Sequence, residues 1–203
     1  MDRIALISDV HGNIPALDVV LRDIRDRGIE RVFCLGDLVG KGPESAAAVD
    51  ICREVCEKLV IGNWDAMLAN EGDPLPPGPP DILEILSWHR RQLGAGRLSF
   101  LSHLPGTIEF VMSGKSVRLF HASQLGIRYR VYYYKDSVEK HLAMFENADF
   151  TGCSTKPDVV GYADIHYAFC AIYGDRMLFN IGSVGLSSIF DSTPLSLYNS
   201  GSK

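Results

Sequence analysis

Apolar and polar positions alternate in blocks over the first sixty residues. Ile4-Ala5-Leu6-Ile7 is a short unbroken apolar run, the pattern of a strand covered on both faces. Asn13 stands where a helix cap belongs, Pro15 falls in the first turn, and Ile14, Leu17, Leu21 and Ile24 recur at helical spacing until Gly28. Arg31-Val32-Phe33-Cys34-Leu35 predicts a second strand. Pro43-Glu44 opens a second helix carrying Ala47, Ile51, Val55 and Leu59, and Leu59-Val60-Ile61 predicts a third strand. A βαβαβ order of this kind implies a parallel sheet with right-handed crossovers, so the fold class is α/β.

The regularity stops at Asp73 to Pro80, where five of eight residues are proline, the composition of a loop or rigid spacer. Ile82 to Leu93 has helical spacing, ended by Gly94-Ala95-Gly96. Beyond it, Thr107 to Met112 and Ser116 to Phe120 flank Ser113-Gly114-Lys115 as a hairpin. Tyr129 to Tyr134 reads as a strand or an ordered loop, and Asp136 to Phe145 as a helix. Asp158 to Tyr162, His166 to Ile172 and Arg176 to Asn180 read as strands, with a final edge strand at Leu195 to Tyr198. The pattern is that of one domain, 1–203, with a helical insertion near 65–104 and a variable, cap-like segment near 124–150.

Composition removes several classes of function. The chain is 203 residues long, 46% hydrophobic and 22% charged, with 20 basic against 25 acidic residues and a net charge of −5. These are the values of a globular domain, without the basic footprint of a general nucleic-acid binder. No run of about 18 apolar residues is present, and Met1-Asp2-Arg3 leads straight into strand-like residues without a signal-peptide core. Five cysteines do not make a disulfide framework. Cys52 and Cys56 lie one helical turn apart with no second Cys/His pair nearby, so helix packing accounts for them. A cytoplasmic location and no membrane partner are expected.

Candidate chemistry falls at the strand ends. The first strand runs into Asp9-Val10-His11, the second into Gly36-Asp37-Leu38-Val39-Gly40, the third into Gly62-Asn63-Trp64-Asp65. Later strands end in Phe120-His121 and Asp164-Ile165-His166. In an open α/β sheet the carboxyl ends of the strands line the ligand crevice. Taken singly these residues are unremarkable, since Asp-x-His arises by chance, Gly36-Asp37 makes an ordinary turn and a strand-end histidine is commonly a satisfied core residue. Five successive strand ends bearing hard or borderline metal ligands are more than a structural sheet requires.

In this order the motifs resemble those of the calcineurin-like metallophosphoesterases, and most of all the small bacterial and archaeal branch related to symmetrical diadenosine tetraphosphatases. The segment Asn180-Ile181-Gly182-Ser183-Val184-Gly185 is similar to that branch's Asn-Pro-Gly-Ser-Val-Gly. The resemblance implies a four-layer αββα sandwich and a pair of divalent ions, Mn most of all, with Fe or Zn as alternatives. It implies that Asp9, His11, Asp37 and His166 hold the first ion, that Asp37 bridges to the second, and that Asn63, His121 and Asp164 complete the second. Asp37, Asn63 and His121 would then serve catalysis directly.

Two positions depart from the family pattern. Asp164 stands where a histidine for the second ion is usual, with Ala163 in place of glycine. Trp64 stands where many relatives have a histidine placed to protonate the leaving oxygen, and an indole N–H is no general acid near neutral pH. Asp65, which would orient that histidine, has no evident partner. The implied activity is hydrolysis of a phosphomonoester, phosphodiester or nucleotide phosphoanhydride, the substrate being a small phosphorylated molecule or nucleotide. A phosphoprotein, with its poor alkoxide leaving group, fits less well. The same departures suit an alternative, a catalytically weakened protein that keeps the fold as a metal- or partner-binding module. Candidate substrate contacts are Trp64 by stacking, Arg128 and Arg130 beside a run of tyrosines, and His89, Arg90 and Arg91 on the inserted helix. The absence of Gly-x-x-x-x-Gly-Lys-Ser/Thr excludes a P-loop.

Overall fold

The computed structural model describes residues 3–69, 79–152 and 155–187. The proline-rich stretch from Asp73 to Gly78 and the expected edge strand at Leu195 to Tyr198 lie outside the described residues. Within them the chain forms β1 (Ala5–Ile7), α1 (Ile14–Asp26), β2 (Val32–Cys34), α2 (Ser45–Val55), β3 (Lys58–Leu59), α3 (Asn63–Ala69), α4 (Pro80–Ser102), β4 (Thr107–Met112), β5 (Lys115–Phe120), α5 (Val138–Ala143), β6 (Val159–Tyr162), β7 (Phe169–Tyr173) and β8 (Arg176–Asn180).

Two sheets result. The first is parallel, β1-β2-β3, with Leu6 opposite Phe33 and Cys34 opposite Leu59. The second is mixed, β4-β5-β6-β8-β7, parallel where β6 meets β5 and β8 and antiparallel at its two hairpins. Side chains alternate across each strand, and three apolar clusters follow from that alternation. Leu6, Phe33, Leu35 and Val60 from the first sheet meet Ile108, Val117, Leu119 and Phe179 from the second. The opposite face of the first sheet, with Ala5, Ile7, Val32 and Cys34, packs on α1, α2 and α4 through Leu17, Leu21, Val49, Leu86 and Leu98. The outer face of the second sheet, with Phe120, Val160, Tyr162 and Leu178, is covered by Val131, Met144 and Phe145. The order is therefore helices, sheet, sheet, then α5 with its loops, the expected four layers.

Several boundaries differ from expectation for identifiable reasons. The third strand is only Lys58–Leu59, because Ile61 donates its N–H to Pro105 instead of continuing along β2. The second helix begins at Ser45 and the 136–145 helix is confined to Val138–Ala143, capped by the Ser137 side chain. Gly94 does break the inserted helix, with φ 66° and ψ 165°, but helical backbone resumes at once and reaches Ser102. Leu98 and Leu101 bury there, and Arg97 forms a two-pronged ion pair with Asp50 of α2. His166 lies in the loop before β7, which starts only at Phe169, since a φ of 57° at His166 cannot continue a strand. Tyr129 to Tyr134 is an ordered loop. Sequence reading did not single out Arg118 of β5, which is fully enclosed and donates to Glu146 O, Asn147 Oδ1 and Thr155 O.

Candidate metal centre

Asp9, His11, Asp37, Asn63, His121, Asp164 and His166 meet at one edge of the sandwich, at the carboxyl ends of β1, β2, β5 and β6 and the start of α3, and all are buried. Left-handed backbone concentrates here. Of the seven non-glycine residues with positive φ among those described, five are Asp9, His11, Asp37, Asp164 and His166. Such conformations cost about 1–3 kcal/mol each and persist where surrounding structure enforces them, which marks functional sites.

The enforcing contacts are visible. Asp65, expected to lack a partner, is enclosed and accepts four main-chain N–H bonds, from Asp37 (2.7 Å), Leu38 (2.9 Å), Val39 (3.3 Å) and Gly62 (3.0 Å). Its carboxylate thus binds the β2 turn to the β3 turn and fixes Asp37. Gly62 permits the approach, because a Cβ there would lie 2.2 Å from the Asp37 amide nitrogen. The 180–185 segment performs the same service for Asp9: Ser183 Oγ and the Gly185 N–H both donate to Asp9 O, and Val184 N–H donates to Ser8 O. Asn180 anchors that segment by donating Nδ2 to Ala163 O while its Oδ1 accepts from Gly182 N–H.

The three histidines are locked alike. His11 Nδ1 lies 2.9 Å from Val39 O, His121 Nδ1 2.6 Å from Leu35 O, and His166 Nδ1 2.6 Å from Leu186 O. A carbonyl only accepts, so each Nδ1 carries a proton and each Nε2 is left facing inward as the atom that can ligate. His11 Nε2 and His166 Nε2 lie 3.4 Å apart, and His166 Nε2 is 3.0 Å from Asp9 Oδ1. Asp37 presents Oδ2 at 3.6 Å from His11 Nε2 and Oδ1 at 3.6 Å from His121 Nε2. Inward lone pairs facing carboxylate oxygens fit a divalent cation, and the donor set of imidazole and carboxylate without thiolate suits first-row ions. Two groups among the described residues have the spacing to hold one: Asp9, His11, His166 and Asp9, Asp37, His121. Asp9 falls in both, whereas Asp37, the bridge that the resemblance implies, falls in the second.

Electrostatics treat the groups differently. Burial pushes His11 down to about 4, keeping its imidazole neutral. Burial also opposes charge on His121, but the facing carboxylates of Asp37 and Asp164 outweigh it and raise the group to about 10. Asp164, despite burial, is held down at about 2 by His121 and Arg130.

Asn63 and Asp164 stand beside the second group. Asn63 directs Nδ2 to Asp164 Oδ1 at 2.6 Å and to His121 Nε2 at 3.4 Å. Asp164 Oδ1 is 3.6 Å from His121 Nε2, and the carboxylate takes two N–H bonds from Arg130, at 2.9 and 3.2 Å. Trp64 packs: its ring lies over Gly40, where a Cβ would come within 2.3 Å of it, and edge-on to His11 at 6.1 Å. Arg128 and Arg130 line one cavity of about 290 Å³. On the inserted helix His89 is buried against Ser45 Oγ at 3.0 Å, Arg90 reaches back to Met67 O, and His89 and Arg91 line a separate cavity of about 560 Å³.

A mixed α/β sandwich that gathers two His/Asp metal groups at its strand ends is the framework of a metal-dependent phosphoesterase. The calcineurin-like phosphoesterase superfamily domain matches residues 2–196, and the chain belongs to that superfamily. It is 34% identical over 188 residues to the uncharacterized protein MJ0912 of Methanocaldococcus jannaschii, covering 90% of this chain and 76% of that one. It is 30% identical over 100 residues, 42% of this chain and 37% of the other, to the symmetrical bis(5'-nucleosyl)-tetraphosphatase of Cellvibrio japonicus. The crystal structure of a metallophosphoesterase from Sphaerobacter thermophilus superposes with a TM-score of 0.70 at 24% identity, covering 92% of this chain and 78% of that chain. Among the described residues no helix is long and apolar enough to cross a membrane.

Proposed function

We propose that the chain hydrolyses a small phosphorylated molecule or nucleotide at this edge, with Asp9, His11, Asp37 and His166 holding one divalent ion and Asp9, Asp37 and His121 a second. Asn63 and Asp164 would complete the second position, Asn63 by turning its amide so that Oδ1 faces the ion. The convergence of three Nε2 atoms, each fixed by an Nδ1–H bond to a carbonyl, on buried carboxylates carries this reading. A bound pair of divalent ions supplies an acidified water as nucleophile and neutralises charge on the phosphoryl oxygens. The protein's part is to fix the ligands through Asp65 and the 180–185 segment, and to exclude alternatives by burial. Manganese suits the oxygen-rich second position made by Asp164.

The partial match to the tetraphosphatase supports placing the chain near that branch. Segment 124–150 supplies the rim that meets substrate, since Arg130 comes from it. Within the 65–104 insertion, α4 acts as a buttress, since Leu86, Leu93, Leu98 and Leu101 bury in the first core. The free, buried Cys34, Cys52 and Cys56 support a reducing, cytoplasmic setting. One observation favours the alternative of a weakened binding module: Arg130 already occupies the Asp164 carboxylate. Metal-stripped protein, given Mn²⁺, is expected to turn over p-nitrophenyl phosphate or its bis ester and to hold about two ions per chain. No turnover with Mn²⁺, Fe²⁺ or Zn²⁺, and one ion or none bound, would overturn the enzymatic proposal in favour of the module.

A further inference from the structure

Asp164 and Arg130 form a pair that no simple ligand replacement requires. Asp164 is 4% exposed and inside the metal centre, whereas the Arg130 side chain is 49% exposed at its rim. Two guanidinium N–H groups grip the carboxylate. The loop carrying Arg130 is itself tied down, by the Ser123–Gly126 bridge, by Tyr132 N–H donating to Asp136 Oδ2 at 2.7 Å, and by Lys140 Nζ donating to Arg130 O at 3.2 Å. The guanidinium is therefore positioned before any ligand arrives. The pair is also neutral as a unit, like the imidazole usual at position 164, yet it adds a planar donor fork that imidazole lacks.

Arg130 belongs at once to the metal centre and to the neighbouring cavity of about 290 Å³, which Arg128, Lys140 and Gln124 also line. Among the described residues no carboxylate lines it. Lys140 is engaged with Asp136, at 2.9 Å, and with Arg130 O, whereas Arg128 has no hydrogen bond or ion pair among the described residues. The buried Gln124 leaves its Oε1 without a hydrogen-bond partner there. A cavity with an unpaired guanidinium, contiguous with a phosphoryl-transfer centre through a second guanidinium, has the chemistry of a phosphate receptor.

We propose that Arg130, clamped by Asp164, and Arg128 form an anion subsite that receives the second phosphoryl group of a phosphoanhydride, so that the substrate carries at least two linked phosphates. This rests on the phosphoesterase reading above and specifies its substrate class. In the reaction, a P–O bond forms from the water oxygen and the P–O bond to the bridging oxygen breaks. The bridging oxygen leaves on the second phosphate with its electron pair, and the proton lost by the water passes to solvent. No oxidant or further reactant is needed. A departing phosphate is stable as an anion, so it does not need the protonation that Trp64 cannot give. Arg130 and Arg128 are placed to offset the charge that departs with it.

Calorimetry of the Mn²⁺-loaded chain with methylenediphosphonate, which has two phosphoryl groups and no cleavable bridge, against methylphosphonate tests the subsite. The natural chain is expected to prefer the diphosphonate by about tenfold or more, the worth of one charge-assisted contact. Arg128→Gln and Arg130→Gln should each reduce that preference to about twofold or less, with bound Mn²⁺ measured alongside to show that the ions stay. Equal affinity for the two probes, or a preference that survives both substitutions, overturns the proposal. Turnover of p-nitrophenyl phosphate by the natural chain separates the two readings. Turnover without preference removes only the subsite, and preference without turnover removes only the hydrolytic reading.

Discussion

His11 Nε2 and His166 Nε2 face each other across 3.4 Å, with the Nδ1 proton of each ring already given to a main-chain carbonyl. Two inward lone pairs at that separation are reconciled only by a cation or a proton between them and the adjacent Asp9. The two rings come from opposite sheets, one after β1 and one after β6, so a cation held there would also join the halves of the sandwich.

Metal removal should expose this arrangement. His166→Ala is expected to weaken binding of the first ion by more than about 100-fold, since even partners one step removed from a metal are worth 10–100-fold. In chelator-stripped protein the same substitution should change stability by less than about 1 kcal/mol. Thermal melts with and without Mn²⁺, beside metal titrations, decide it. Equal destabilisation in both states would make His166 a packing residue.

The elevated His121 gives metal binding a definite pH dependence. With the group raised to about 10 in the stripped site, Nε2 holds a proton at neutral pH, and an ion must displace it. Affinity should therefore climb with pH up to about 10, near tenfold per unit, and fall as pH drops. Titrations at pH 7.5 in two buffers of different ionisation enthalpy should report release of about one proton. His121→Gln should abolish that release, and a buffer-independent heat in the natural chain would contradict the assignment.

Asp65 is expected to be among the most sensitive positions for stability. Asp65→Asn turns an amide NH₂ toward some of the four donors the carboxylate now satisfies. Leaving buried N–H groups unpaired costs about 1–3 kcal/mol each, so a loss of about 3 kcal/mol or more is expected in urea unfolding. Activity should fall as well at saturating Mn²⁺, because Asp37 loses its anchor. Unchanged unfolding would show that the β2 turn holds its shape unaided.

Much of this site could be read from one-dimensional spacing, because strand ends in a parallel sheet must converge and Asp9, His11, Asp37, His121 and His166 all follow apolar runs. What could not be read depends on contacts made across long sequence separations. Asp65 satisfies amides from 26 to 28 positions earlier as well as that of Gly62, three positions away. Arg130 reaches Asp164 over 34 positions. His89 falls on the same helical side as Ile85 and Leu86, but the Ser45 hydroxyl that meets it lies 44 positions away. Gly94-Ala95-Gly96 has the local signature of a helix end, and only the core contacts of Leu98 and Leu101 explain why helical backbone resumes.

Asp164 and Arg130 should behave as one unit. Arg130→Gln in the natural chain leaves the Asp164 carboxylate with only Asn63 and His121 to balance it, whereas in the Asp164→His background the glutamine replaces a guanidinium that has already lost its anchor. The cost of Arg130→Gln to stability should therefore be larger in the first background than in the second. A coupling of about 1 kcal/mol is expected, kept small because half of the Arg130 side chain is in water. Urea unfolding of the four stripped proteins measures it. Metal content supplies the second readout: Asp164→His should retain two ions, since imidazole replaces carboxylate beside His121. Strictly additive stabilities would mean that the fork contributes no net energy, and the position of Arg130 would then owe nothing to Asp164.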